Sequence, residues 1–298
     1  MKRKLLFRGT GTALVTPFTA QGEVDGKALR KLVEFQIRNG VEALLPTGTT
    51  GESVTLGDDE QMRVIEIVVE QTNGRVPVIA GAGSNATKKA IALAKCALKA
   101  GADGILSVGP YYNKPTQEGY VQHYAAIASA IDAPIIVYNV PGRTASNIEA
   151  ETTLRMAEEI VNIAGIKEAS GNFGQMMEIL HHRPKGFGVW SGDDAITLPL
   201  VALGADGVVS VVSNEVPKQF SNMVQLCLKG KFPQAAVLHN ELLDLMNFNF
   251  VESNPIPVKA ALAMMGMIDE YYRLPMVPLS KNHRPRLKQI LSNLRVLD

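Results

Sequence analysis

Lys167 closes the apolar run Ile163-Ala164-Gly165-Ile166 and is followed at once by Glu168. A lysine at the end of a buried strand loses hydration, which favours the neutral amine and makes it a nucleophile toward a carbonyl. The same residue could instead be structural, an ammonium paired with Glu168 or Glu52. Other polar residues that end apolar runs bear on that choice. Gly48-Thr49-Thr50-Gly51 sets two glycines, which let backbone approach a ligand, around two hydroxyls beside N–H groups. That combination suits a small carboxylate, or else a plain capped turn. Tyr138 is a phenol that could move protons, or a core tyrosine with a satisfied hydroxyl. Arg143, beyond Pro141-Gly142, could clamp a second carboxylate through its planar fork, or stay solvated. Each residue alone fits a bland role. Together they supply an amine, a proton carrier and two carboxylate anchors, the parts of a Schiff-base site for a small keto acid.

For these residues to meet, the ends of several strands must converge. Short apolar, β-branched runs at 11–16, 42–46, 76–80, 104–108, 134–139, 163–167, 188–191 and 207–211 alternate with stretches whose apolar residues recur at helical spacing. Asn39-Gly40, Ala100-Gly101 and Leu203-Gly204 each place a glycine just past a helix and before a strand, the usual left-handed helix stop. Near-continuous apolar strands separated by helices indicate a parallel sheet, and eight such units predict a (β/α)8 TIM barrel. Chemistry in that fold sits at the C-terminal strand ends. There the chain places Thr49-Thr50, Tyr111-Tyr112, Tyr138, Arg143, Lys167 and Ser191-Gly192-Asp193-Asp194. Beyond residue 212 the strands stop, and helices are predicted at 217–229, 233–247, 254–267 and 280–297. The expected division is a catalytic barrel over 1–230 and a small helical C-terminal domain over 231–298.

Bulk properties exclude several classes. With 30 basic and 29 acidic residues, the net charge of +1 leaves no electrostatic footprint for nucleic acid or an anionic membrane. Two distant cysteines, Cys96 and Cys227, predict no disulfide framework and suit a reducing cytoplasm. The basic start at residues 1–4 opens like a signal peptide, but the apolar stretch ends at Arg8, too short for one. No run approaches the ~20 apolar residues of a spanning helix. The expectation is a cytoplasmic protein.

The motifs GTTGES at 48–53, PYYNKPTQEG at 110–119, YNVPGRT at 138–144, GIKEASG at 165–171 and NPIPVK at 254–259 resemble the dihydrodipicolinate synthase family. That family belongs to the Schiff-base, pyruvate-dependent aldolases, and the resemblance spans essentially the whole chain. It implies that Lys167 forms a Schiff base with pyruvate and that Tyr138 is the general acid/base. It links Tyr138 in a proton relay to Thr49 and to Tyr112, the latter reaching in from a neighbouring subunit. It implies that Thr50, Gly192 and the backbone at Val209 bind substrate, and that Arg143 orients the carboxylate of aspartate semialdehyde. A homotetramer and no metal or other cofactor are implied as well. One departure stands out. Lysine-inhibited members carry histidines and an acid in a pocket between subunits; here Asp58, Gln61 and Lys89 occupy those positions, while Ser53, Asn85 and Tyr111 still fit. A lysine at 89 repels an incoming α-amino group, so lysine feedback is expected to be weak or absent.

Three rival readings remain at this level. A sialic-acid or keto-deoxy-sugar acid lyase shares the lysine and tyrosine but takes a polyhydroxy chain, which Arg143 and the paired threonines disfavour. Gly81-Ala82-Gly83-Ser84-Asn85-Ala86 fits a loose dinucleotide fingerprint, yet it follows the third strand and no acid closes a strand ~20 residues on. A catalytically silent scaffold would not be expected to keep every motif residue. His181-His182 read as surface residues, because adjacent helix positions face different ways.

Overall fold

The computed structural model describes residues 5–297. The basic start weighed above as a targeting segment lies outside them. Strands and helices alternate as expected. The first four units are β1 (Gly9–Ala13), α1 (Gly26–Arg38), β2 (Ala43–Leu45), α2 (Asp58–Thr72), β3 (Ile79–Gly81), α3 (Thr87–Lys99), β4 (Gly104–Val108) and α4 (Gln117–Ala130). Next come β5 (Ile135–Asn139), the short α5 (Pro141–Thr144), α6 (Ala150–Glu159), β6 (Ile163–Glu168) and α7 (Phe173–His182). The last units are β7 (Gly188–Ser191), α8 (Thr197–Ala202), β8 (Gly207–Ser210) and α9 (Pro217–Leu228). Three further helices follow: α10 (Phe232–Phe248), α11 (Ile256–Met264) and α12 (Arg284–Asn293).

All named strands pair in parallel, in the order β2-β1-β8-β7-β6-β5-β4-β3. A parallel bridge from Leu44 to Val78 brings β2 against β3 and closes the ring into a TIM barrel. The strands are buried on both faces, so their side chains divide by alternation. Ile136, Tyr138, Leu106, Leu45, Trp190 and Val209 fill the inside. Ile135, Val137, Ile105 and Ile166 point outward under the helices. Low in the barrel, Phe7 stacks on Trp190 with ring centroids 4.9 Å apart. The indole dictates two glycines: a Cβ at Gly165 or Gly188 would come within 2.6 or 2.2 Å of its ring atoms. Helix α1 shows how the outer layer forms. Asp25 accepts hydrogen bonds from the Lys27 and Ala28 N–H groups at its start, and Leu29, Leu32, Val33 and Gln36 make its buried stripe.

Several boundaries differ from expectation for identifiable reasons. β1 begins at Gly9, where its N–H donates to Asp206 O, and ends at Ala13. Leu14 and Val15 lie past the strand in the cluster beneath α1; the Leu14 N–H still donates to Leu45 O, but the Val15 N–H goes to Asn214 Oδ1, which ends the ladder. β3 starts at Ile79 because Pro77 has no N–H to donate and the Val78 N–H goes to Asp103 Oδ2 at 2.8 Å instead of a neighbouring strand. Helix α12 starts at Arg284 with Pro285 in its first turn, later than the predicted 280.

Helices α9 to α12 pack on one flank of the barrel through Phe220, Leu242, Leu245, Leu287 and Leu291, against Leu200 of α8. The connection between α10 and α11 returns to the barrel mouth, carrying Phe250 and Asn254. No helix among the described residues is long and apolar enough to cross a membrane.

Candidate active site

Register fixes the centre of the site. Tyr138 of β5 pairs with Lys167 of β6, and Asn139 pairs with Glu168. Alternation therefore turns Tyr138 and Lys167 into the barrel mouth and their neighbours outward. Lys167 is 6% exposed, and its Nζ lies 4.1 Å from the centroid of the Tyr138 ring. Glu168 is held on the other face by Asn139 Nδ2 at 3.1 Å, Gln175 Nε2 at 2.9 Å and the Ser170 N–H at 2.7 Å. Glu52 accepts from Lys259 Nζ at 2.5 Å. Both carboxylates that the sequence offered as structural ion-pair partners for Lys167 are thus engaged elsewhere. Burial lowers the Lys167 ammonium to about 7, with the Asp194 charge opposing the fall and the Arg143 charge adding to it. The amine is available near neutral pH.

Around it lies a cavity of ≈ 150 Å³ whose wall includes Thr49, Thr50, Tyr138, Arg143, Lys167 and Gly192. The GTTGES turn is shaped by left-handed residues at both ends, Thr47 and Glu52, each at φ 54°. It is tied down by Thr16 Oγ1 donating to Gly51 O at 2.7 Å. Within it the Thr49 and Thr50 N–H groups meet no acceptor among the described residues, which leaves donors for a carboxylate. The Tyr138 hydroxyl is hydrogen-bonded to Thr49; burial raises the phenol above its ordinary value, while Arg143 and Thr49 pull the other way. Gly192 is required by Lys167 itself, because a Cβ there would lie 3.2 Å from Lys167 Cε and 2.6 Å from Ala169 Cβ. Arg143 sits on α5, whose start is set by Pro141, and its Nη2 donates to Asn254 O at 3.4 Å.

Two expected residues lie apart. Val209 is in the inner core below the cavity, and Val211 reaches its wall instead. Tyr112 is 89% exposed, has φ 72°, and lines neither this cavity nor its neighbour. That neighbouring recess, ≈ 250 Å³, shares Thr49, Tyr138 and Arg143 and extends to Ser53, Val54 and Tyr111. The residues expected in place of a lysine-sensing set make contacts of their own. Lys89 Nζ lies 3.5 Å from Asp58 Oδ1, and Gln61 Nε2 donates to Ser53 O at 2.8 Å.

Three residues were not singled out from sequence. Asn254 donates from Nδ2 to Thr50 Oγ1 at 3.0 Å, so it touches both the threonine turn and Arg143. Lys259 is fully buried against Glu52 and over the Phe18 ring at 4.3 Å. Asp194 is 1% exposed, and its Oδ2 accepts the N–H groups of Val211 and Val212. The first two are the ends of the NPIPVK motif, which was read as helix and as part of the family resemblance without a role for either residue. Asp194 was seen at a strand end without a partner.

Comparison with known proteins converges on the same chemistry. Residues 6–294 match the Dihydrodipicolinate synthetase family. A 4-hydroxy-tetrahydrodipicolinate synthase of Prosthecochloris aestuarii is 52% identical over 97% of both chains. The structure of a dihydrodipicolinate synthase from Thermotoga maritima superposes with a TM-score of 0.96 at 46% identity, covering 98% of this chain and 100% of that one. The enzyme from Cyanidioschyzon merolae, solved with lysine bound, superposes with a TM-score of 0.96 at 42% identity over 99% and 100% of the two chains. A match of this extent, on a barrel whose mouth holds a desolvated lysine beside a buried tyrosine, makes the chain a member of the dihydrodipicolinate synthetase family.

Proposed function

We infer that the chain is a 4-hydroxy-tetrahydrodipicolinate synthase, a lyase that condenses pyruvate with L-aspartate 4-semialdehyde in the diaminopimelate branch of lysine biosynthesis. The observation that carries this reading is Lys167, buried at the barrel mouth, with no carboxylate in hydrogen-bond contact among the described residues, and lowered to about 7. Its neutral amine adds to the keto carbon of pyruvate, and protonation of the resulting hydroxyl lets water leave as the imine forms. Loss of a methyl proton gives the enamine, whose carbon attacks the aldehyde of the second substrate. The amino group of that substrate then displaces Lys167 and closes the ring.

Each step moves a proton, and Tyr138 hydrogen-bonded to Thr49 is the group placed to carry it. Thr50, Gly192 and the backbone around Val209 hold pyruvate, and Arg143 receives the carboxylate of the semialdehyde. Tyr112 completes the relay in a neighbouring copy of a homotetramer. The barrel over 1–230 carries the catalysis, the helical domain over 231–298 supports its mouth, and the enzyme works in the cytoplasm.

Borohydride reduction with pyruvate, followed by peptide mass spectrometry, tests the reading. The expected product is a reduced pyruvyl adduct on Lys167. An adduct on another lysine, or none, would overturn it.

A further inference from the structure

The cavity around Lys167 opens to solvent beside two side chains of opposite character. Among the described residues that line it, Arg143 and Phe250 alone are exposed, while Thr50, Tyr138, Lys167 and Asn254 are buried. Arg143 has a part in the scheme above, as receiver of a carboxylate. Phe250 has none. It lines the cavity while 48% exposed, so it stands at the opening and not in the core. A phenyl group left half in water forgoes much of the burial that usually justifies one. Phe250 is also held in place, because the connection between α10 and α11 is fastened on both sides of it. Before it, Asn249 Nδ2 donates to Glu215 Oε2 at 2.7 Å between two buried side chains, and the Phe250 N–H closes a turn onto Asn247 O at 3.1 Å. After it, the Val251 N–H donates to Phe248 O, and Asn254 holds Thr50 and accepts from Arg143.

We propose that Phe250 is a specificity-determining residue: it is an apolar wall at the opening that turns away hydroxylated aldehydes and admits a short one whose charge ends at Arg143. The proposal deepens the reading of aspartate semialdehyde as the second substrate and rests on it. A phenyl group makes no conventional hydrogen bond, so a hydroxyl laid against it gives up water without a replacement. A polyhydroxy chain carries a hydroxyl on nearly every carbon, and whatever emerges from a cavity of ≈ 150 Å³ must pass Arg143 and Phe250. The hydroxyls of the cavity wall offer it little, since Thr50 Oγ1 already accepts from Asn254 and Thr49 is hydrogen-bonded to Tyr138. The semialdehyde has a bare methylene next to its aldehyde and keeps its carboxylate at the far end, for the Arg143 fork to receive. An apolar pocket rejects one added hydroxyl by about a hundredfold, and a single half-exposed wall by less, about tenfold.

The test compares two aldehydes as partners for pyruvate, L-aspartate 4-semialdehyde and the unbranched polyhydroxy aldehyde D-erythrose. Rates are measured in wild type, Phe250→Ala and Phe250→Leu, with the products identified by mass spectrometry. The ratio of kcat/KM for erythrose to that for the semialdehyde is expected to rise about tenfold in Phe250→Ala. It is expected to stay near wild type in Phe250→Leu, which keeps an apolar wall. KM for pyruvate and the borohydride adduct on Lys167 are expected to be the same in all three proteins. An unmoved ratio in Phe250→Ala, no product from erythrose in that variant, or an equal rise in Phe250→Leu overturns the proposal. A raised pyruvate KM or a lost adduct in Phe250→Ala overturns it too, because the residue would then support the pyruvate site instead of selecting the aldehyde. A wild type that forms the adduct yet prefers erythrose to the semialdehyde would count against the assigned second substrate, while the change of ratio on substitution still reads the part played by Phe250.

Discussion

At Lys167 the surroundings decide the chemistry. An exposed lysine titrates at ~10.4 and would be almost wholly protonated at neutral pH. Burial brings this one down to about 7, so its neutral form predominates above that pH and disappears below it. The acid limb of kcat/KM for pyruvate is therefore expected to have its midpoint near 7, with about a tenfold loss per unit below it and a plateau above. A steady-state pH profile checks this; a midpoint close to an ordinary lysine would mean that the amine is hydrated in the working enzyme. A second residue-scale prediction concerns Lys89. Its ammonium lies 3.5 Å from Asp58 Oδ1, so the corner where the family resemblance leads one to expect an acid in lysine-inhibited members holds a cation already paired with its neighbour. An incoming α-ammonium meets like charge at that corner. L-Lysine at sub-millimolar concentration is expected to leave the initial rate unchanged, and clear inhibition in that range would sink the idea.

At the scale of elements, the threonine turn is only as well placed as its supports. Glu52, in left-handed conformation at the end of the turn, is gripped by Lys259 of α11, and Asn254 before α11 holds Thr50. Helix α11 thus fastens the post-barrel helices to the threonine turn. Removing one partner of a fully buried ion pair leaves the other charge stranded. Lys259→Met is expected to cost about 3–5 kcal/mol in denaturant unfolding and to raise KM for pyruvate, because the Thr49-Thr50 loop loses its anchor. A variant with unchanged stability would show that the pair contributes nothing net. This support was the part least legible from sequence. The strand-end residues Thr49, Thr50, Tyr138, Lys167 and Gly192 could be read because strand alternation and chain order place them on one rim. β4 and β7 matched their predicted spans because neither is interrupted by proline or followed by further apolar residues outside the ladder. Lys259 and Asn254 act across more than 200 residues of chain, and no local pattern encodes such a contact. Periodicity marks the face of a helix; it does not say which loop that face will touch.

At the scale of the whole molecule, Tyr112 is the residue that one chain cannot explain. Its phenol is almost fully exposed, its backbone is held at φ 72°, and the next residue, Asn113, ties the loop to Asn85 O through a 2.8 Å hydrogen bond. A non-glycine residue in left-handed backbone is strained and persists where surrounding structure or function requires it. Val54, also exposed, lines a recess that leads to Tyr138 together with Tyr111, the residue before Tyr112, and exposed large apolar side chains of this kind are what a second copy covers. If Tyr112 serves the neighbour's site, Tyr112→Phe and Lys167→Ala each inactivate the enzyme, but for different reasons. In a mixed assembly, a Tyr112→Phe subunit still has Lys167 and can borrow an intact Tyr112 from a Lys167→Ala partner. Unfolding and refolding the two inactive variants together in equal amounts is then expected to restore about a quarter of wild-type activity, since half of randomly formed pairs are mixed and each has one complete site. A tyrosine acting within its own chain predicts no recovery, because neither subunit then carries both groups. The same mixture run on a sizing column separates the outcomes further: recovery must appear only in the oligomeric fraction, and activity in a monomer would remove the need for a shared site.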